Sequence, residues 1–174
     1  MPVRAGTITR AHIADGLTAM RLPLALLIAI AIGDGRWLGA AVLLALAWWT
    51  DFLDGRIAQA TTGTRLGPWD GYADAAVGAG VLLGLIAAGE VPGPPFAAVG
   101  LVFALVLITT GNMAFGMLLQ ATGYAPFLAH LFSETGPGLA IVVLTIAAIA
   151  VLDSRRLFTY VLPTFFEGVR FKRN

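Results

Sequence analysis

Residues 51–74 read DFLDGRIAQATTGTRLGPWDGYAD, and the four aspartates in this window, Asp51, Asp54, Asp70 and Asp74, decide how the whole chain is read. Each lies in or against a long apolar segment, where a carboxylate is costly unless it is paired or holds an ion. Only Arg56 and Arg65 stand close enough in sequence to offset them. Four such acids call for a multivalent cation.

The surrounding composition names the solvent. Of 174 residues 58% are hydrophobic and only 12% charged, whereas a soluble domain carries roughly a quarter charged residues. The chain therefore reads as an integral membrane protein. It has no cysteine, which removes disulfides and thiolate metal sites, and a net charge of +1 gives no electrostatic footprint for nucleic acid. The basic N-terminal stretch runs into a long apolar segment without a small-residue cleavage site, so it does not read as a cleaved signal.

A spanning helix needs about 20 mostly apolar residues. Such runs are expected at residues 17–32, from Trp37 through Asp54, at 67–88, at 96–120 and at 137–152, with a sixth at 156–170 that is shorter and broken by Pro163. The fold class is thus an all-α integral membrane protein, a six-transmembrane-helix bundle forming one domain over residues 1–174. Residues 1–14 are too polar to span and form an N-terminal interfacial segment, with Ile8 and Ile13 toward lipid and Arg4 and Arg10 toward phosphates. Arg4, Arg10, Arg21, Arg56, Arg65, Arg170, Lys172 and Arg173 then share one side, which the positive-inside rule makes cytoplasmic. Arg36, Arg155 and Arg156 fall on the other.

Residues three or four apart share a helix face. Asp51, Asp54 and Ala58 therefore line one side of the second span, and Gly67, Asp70 and Asp74 one side of the third. Residues 60–66 are long enough to reverse the chain, so the two form an antiparallel hairpin whose acidic faces meet near the membrane surface. An all-oxygen set of this kind suits Mg²⁺ or Mn²⁺ and poorly suits zinc. Two ions bridged by shared carboxylates would form the clamp used in phosphoryl transfer. Gly55 and Gly67 leave room beside the acids for a bulky nucleotide.

Written as Asp51-x2-Asp54-Gly55-x2-Ala58-Gln59-x7-Gly67-x3-Asp70-x3-Asp74, the window closely resembles the signature of the CDP-alcohol phosphotransferase (CDP-alcohol phosphatidyltransferase) family, D-x2-D-G-x2-A-R-x7–8-G-x3-D-x3-D. Thr18-x2-Arg21, preceded by Asp15, is similar to that family's N-x2-T-x2-R stretch. The resemblance implies a six-helix membrane enzyme, a homodimer with its site open to the cytoplasm. It would move a substituted phosphate from a CDP-linked donor, commonly CDP-diacylglycerol, to an acceptor alcohol and release CMP in phospholipid biosynthesis. Carried over by position, Asp51, Asp54, Asp70 and Asp74 would serve two Mg²⁺ or Mn²⁺ ions, with Asp74 also taking the acceptor's proton. Gly55, Ala58 and Gly67 would line the cytidine diphosphate pocket, and Thr18 and Arg21 would approach the donor's phosphates. A bacterial or archaeal cell membrane is the expected location.

Two positions depart from the family pattern. Gln59 replaces an arginine, and Asp15 replaces the usual asparagine, adding charge near the expected diphosphate. Arg56 or Arg65 could replace the missing cation. Two alternatives use the same acids: a non-catalytic relative that binds metal and nucleotide-lipid, favoured by Gln59, and an aspartate-rich prenyltransferase. The latter places its two motifs on well-separated helices, unlike this window. A phosphorylated acceptor would need several cations near the metals. The single lysine, and Arg155 and Arg156 on the far side, therefore point to a neutral or weakly charged alcohol. His130 and Glu134, in the expected connection between spans four and five, could touch that acceptor. Asn112, inside span four, would either reach the acceptor cavity or bond between helices.

Overall fold

The computed structural model describes residues 5–60, 64–154, 159 and 162–169, and these form seven α-helices with no strand among them. In order they are α1 (Ala5–Gly33), α2 (Trp37–Gln59), α3 (Asp70–Ala88), α4 (Gly93–Thr110), α5 (Met113–Glu134), α6 (Pro137–Leu152) and α7 (Leu162–Val169). A short 3-10 turn, Gly67–Trp69, leads into α3. Four stretches are long and apolar enough to cross a membrane: Arg10–Gly33, Trp37–Gln59, Gly67–Ala88 and Gly93–Thr110. At 1.5 Å per residue they measure about 27–36 Å, against a hydrocarbon layer of roughly 30 Å.

The helices are apolar on nearly every face, as spanning segments are. Leu26, Leu83, Leu101, Ile108 and Leu144 point outward, while Ile28, Ile32, Leu44, Val81, Leu85 and Phe127 are completely or almost completely buried. α1 packs on both α2 and α3, α4 and α5 also pack on α3, and α6 packs on α2. α2 and α3 make few direct contacts. The expected antiparallel hairpin is thus held together through α1, because the buried side chains of α1 fill the space between its two arms.

Close approach explains why glycine recurs on α3. A Cβ on Gly80 would collide with the Ala25 carbonyl of α1, and one on Gly123 of α5 would meet the backbone of Gly78 and Leu82. Small residues allow such crossings where lipid gives no hydrophobic drive between helices. Gly80→Val is expected to lower stability by about 3 kcal/mol. The measurement is the thermal midpoint of the monodisperse peak in detergent, with the lipid-facing Leu83→Val as the unaffected control.

Three expectations change. The run at 96–120 is two helices, not one: Gly111 ends α4 in the left-handed conformation (φ 66°). Asn112 then caps α5, its side chain accepting a hydrogen bond from the Ala114 amide at 3.0 Å. Asn112 also donates to the Gly168 carbonyl at 2.9 Å, which fastens α7 to the start of α5. Residues 121–134 are therefore helix rather than connection. His130 sits at the end of α5 remote from the aspartates, with Nδ1 3.1 Å from Glu90 and its ring stacked on Trp37. It cannot meet an acceptor there.

The second change concerns the C-terminal end. With one more helix in the count, α6 runs toward the aspartates, where Asp153 follows it. The side expected for the chain after α6 is therefore reversed, and with it the ground for a neutral or weakly charged acceptor. Arg155 and Arg156 themselves lie outside the described residues, as do Arg4, Arg170, Lys172 and Arg173. The third is the run at 156–170, whose described helix, α7, has eight residues and measures about 12 Å. The segment before the first span is also helical from Ala5, continuous with α1, and Arg10 and Ile13 are exposed on it.

Candidate active site

One face of α1 carries Ala14, Thr18 and Arg21, all buried. Arg21 has no exposed surface, and its guanidinium pairs with all four aspartates: with Asp54 and Asp70 through Nη2, with Asp74 through Nη1, and with Asp51 through Nη1 at 3.2 Å. A buried arginine requires such partners, since desolvating an unpaired charge costs several kcal/mol. Its planar fork suits several carboxylates at once. Thr18 donates to Asp54 Oδ2 at 2.8 Å. The acids come from the last turns of α2 and the first two of α3, so the i, i+3 and i, i+4 spacings put all four on the surfaces facing α1.

The four acids are not equivalent. Oxygens of Asp51, Asp70 and Asp74 lie within 4.8 Å of one another, a spacing that one cation could draw together. Asp54 is the most buried of the four, and its Oδ2 shares Arg21 Nη2 with Asp70 Oδ1. Its Oδ1 is buried and has no hydrogen-bond partner among the described residues. A buried carboxylate oxygen is normally satisfied, so this lone pair together with the acidic trio fits a hard divalent ion. The donor set is oxygen throughout, which favours Mg²⁺ or Mn²⁺.

Two cavities meet at these acids. The first, about 510 Å³, is lined by Thr18, Asp54, Gly55, Ala58, Gly67 and Asp70, with Asp15 and Gln59 at its walls. The second, about 690 Å³, lies between α2, α3, α5 and α6. Asp51, Asp70, Asp74, Trp48, Gln120 and Tyr124 supply its polar groups, and Asp153 stands at the end of α6. Asp70 and Gly67 belong to both. Both volumes fall within the usual range for small-molecule sites, about 300–1,000 Å³.

The motif residues come together here with Thr18 and Arg21. Thr18, Gly55, Ala58 and Gly67 face the first cavity, Asp51 and Asp74 the second, and Arg21 lies between. Arg56 does not. Its guanidinium lies 4.4 Å from the Phe52 ring and donates to the Leu152 carbonyl at 2.7 Å, closing the last turn of α6. It is therefore engaged in helix packing rather than in replacing the cation absent at Gln59. Trp48 and Tyr124, packed edge to face at 5.5 Å, both line the second cavity. Trp48 is three residues before Asp51, a spacing that puts it on the acidic face.

The family model for CDP-alcohol phosphatidyltransferase matches residues 11–163 of the chain, most of its length. No curated protein and no solved structure gives a significant match. The family match leaves the prenyltransferase alternative without support.

Proposed function

The chain belongs to the CDP-alcohol phosphatidyltransferase family, and on that premise we propose that it transfers a phosphatidyl group from CDP-diacylglycerol to the hydroxyl of an acceptor alcohol, releasing CMP. The observation that carries this reading is the convergence of the motif's acids at the junction of two cavities. The small residues of the motif leave space in one cavity for cytidine diphosphate. The other cavity takes the acceptor, and Asp70 belongs to both.

Asp51, Asp54, Asp70 and Asp74 would hold two Mg²⁺ or Mn²⁺ ions, which when bound offset the charge of the diphosphate and of departing CMP. Asp74 lines only the acceptor cavity of the two, where it is placed to take the proton of the attacking hydroxyl. The acceptor oxygen bonds to the phosphorus that carries diacylglycerol, and the bond from that phosphorus to the oxygen of CMP breaks. Arg21, buried among the four acids and lining neither cavity, braces them in this proposal rather than meeting the donor directly. Thr18 orients Asp54 by its hydrogen bond.

The protein is an integral membrane protein, and α1 to α6 supply six crossings in this proposal. The aspartate end then faces the cytoplasm, because Arg10, Arg56 and Arg65 lie toward it while Arg36, beside Asp34, is the only arginine at the other end among the described residues. A homodimer is the assembly proposed from the resemblance.

The test is CMP release by the purified protein given CDP-diacylglycerol, a panel of neutral and phosphorylated alcohols, and Mg²⁺ or Mn²⁺. Release that requires both the cation and one acceptor class is expected. Binding of cation and donor without turnover on any acceptor would instead support the non-catalytic alternative, for which the exposed Gln59 at the donor cavity is the motivating feature.

A further inference from the structure

Asp15 puts a negative charge beside the expected diphosphate. In the fold its carboxylate is turned to another use. Oδ1 accepts hydrogen bonds from the backbone amides of Arg65 at 3.0 Å and Leu66 at 2.9 Å, and Oδ2 lies 3.1 Å from the Arg65 amide. These partners are fifty residues away in sequence, in the connection that delivers the chain to α3. Asp15 is also one helical turn before Thr18, on the α1 face that carries the rest of the site.

The described part of this connection, from Thr64 onward, is tightly folded. The Trp69 amide donates to the Leu66 carbonyl at 2.8 Å, closing the 3-10 turn. A Cβ on Gly67 would stand 3.1 Å from Thr64 Oγ1, so the loop has little slack. Thr64 and Gly67 line the donor cavity, and Asp70, which both cavities share, opens α3 immediately after the turn. The amides of Arg65 and Leu66 lie ahead of the helix, and the Asp15 carboxylate supplies their acceptor.

We infer that Asp15 is a positioning residue: its carboxylate fastens the α2–α3 connection to α1 and so fixes the wall of the donor cavity. The inference rests on the donor-cavity assignment made above. A carboxylate engaged by two amides has its charge directed at the backbone, which removes the conflict with a bound diphosphate. An asparagine could accept the same two bonds through its amide oxygen. Alanine could accept neither.

Two readouts separate positioning from repulsion. With CDP-diacylglycerol as donor and the acceptor saturating, Asp15→Ala should raise the donor KM about tenfold while kcat and the acceptor KM stay within about twofold. Asp15→Asn should recover most of the loss. The second readout needs no substrate: tryptic cleavage after Arg65 in the detergent-solubilised protein should be about tenfold faster in Asp15→Ala than in the parent. A lower donor KM in both variants would overturn the inference, because the carboxylate would then be opposing the diphosphate. Unchanged cleavage at Arg65 would overturn it too. Failure of the parent to turn over any CDP-linked donor would defeat the transferase reading alone, and the cleavage rates would still decide the role of Asp15.

Discussion

Asp74→Asn is expected to lower kcat by about 10²–10⁴-fold while leaving cation-dependent donor binding nearly intact. The substitution keeps an oxygen at the position that approaches Asp51 and Asp70, so a ligand to a cation survives. What it removes is the capacity to accept a proton. An alcohol is a poor nucleophile at neutral pH, and a carboxylate taking its proton in the transition state contributes on this scale. The position in the fold matters as much as the chemistry, because Asp74 lines the cavity proposed for the acceptor and Asp54 the one proposed for the donor. Asp54→Asn should therefore act chiefly on donor and metal affinity. Equal losses of kcat in the two variants, with matching losses of donor binding, would show that Asp74 is a ligand and not the base.

Removal of Arg21 should have the largest effect on stability. Its buried guanidinium is the shared partner of four acids, and Arg21→Met would leave them facing one another without it. Taking away one partner of a buried ion pair costs about 3–5 kcal/mol, which corresponds to a fall in thermal midpoint on the order of 10 °C. The sign of the metal effect then distinguishes this account from a simple membrane anchor. Mg²⁺ or Mn²⁺ should raise the midpoint of Arg21→Met more than that of the parent, since a cation at the trio replaces the lost positive charge. An arginine that only met headgroups could be lost with little change, and the added cation would stabilise both proteins equally. Midpoints measured in chelator and at saturating cation give the answer.

The motif was the legible part of this protein. Spacings of three and four residues on two adjacent helices are local facts, and they were enough to put Asp51, Asp54, Asp70 and Asp74 on converging faces. Thr18 and Arg21 were picked out by their order in the chain. That Arg21 would pair with every acid was not readable, because its partners lie 30 to 53 residues away and their meeting depends on how α1 sits against α2 and α3. The role of Asp15 was hidden for the same reason. Its hydrogen bonds go to backbone amides, which leave no mark in side-chain chemistry.

The break between α4 and α5 was missed for a different reason. Residues 96–120 are apolar apart from the short Thr109–Asn112 stretch and Gln120, and hydropathy alone joins them. The sequence did hold the stop: Gly111 followed by Asn112 is a left-handed helix end followed by a helix N-cap. Reading Asn112 as a polar residue buried in a span cost one helix in the count. It moved His130 to the wrong end and turned the last part of the chain around. The six crossings now proposed use α1 to α6, and the basic residues near the aspartates fall on one side without exception among those described.

The most direct measurement follows the acceptor's own oxygen. The purified protein is given CDP-diacylglycerol, Mg²⁺ or Mn²⁺, and the productive acceptor carrying ¹⁸O in its hydroxyl, and CMP and the lipid product are weighed by mass spectrometry. The account predicts CMP and phospholipid in equal amounts, the label wholly in the phospholipid, and neither product in chelator. CMP formed without acceptor, or label appearing in CMP, would contradict attack by the acceptor hydroxyl on the phosphatidyl phosphorus.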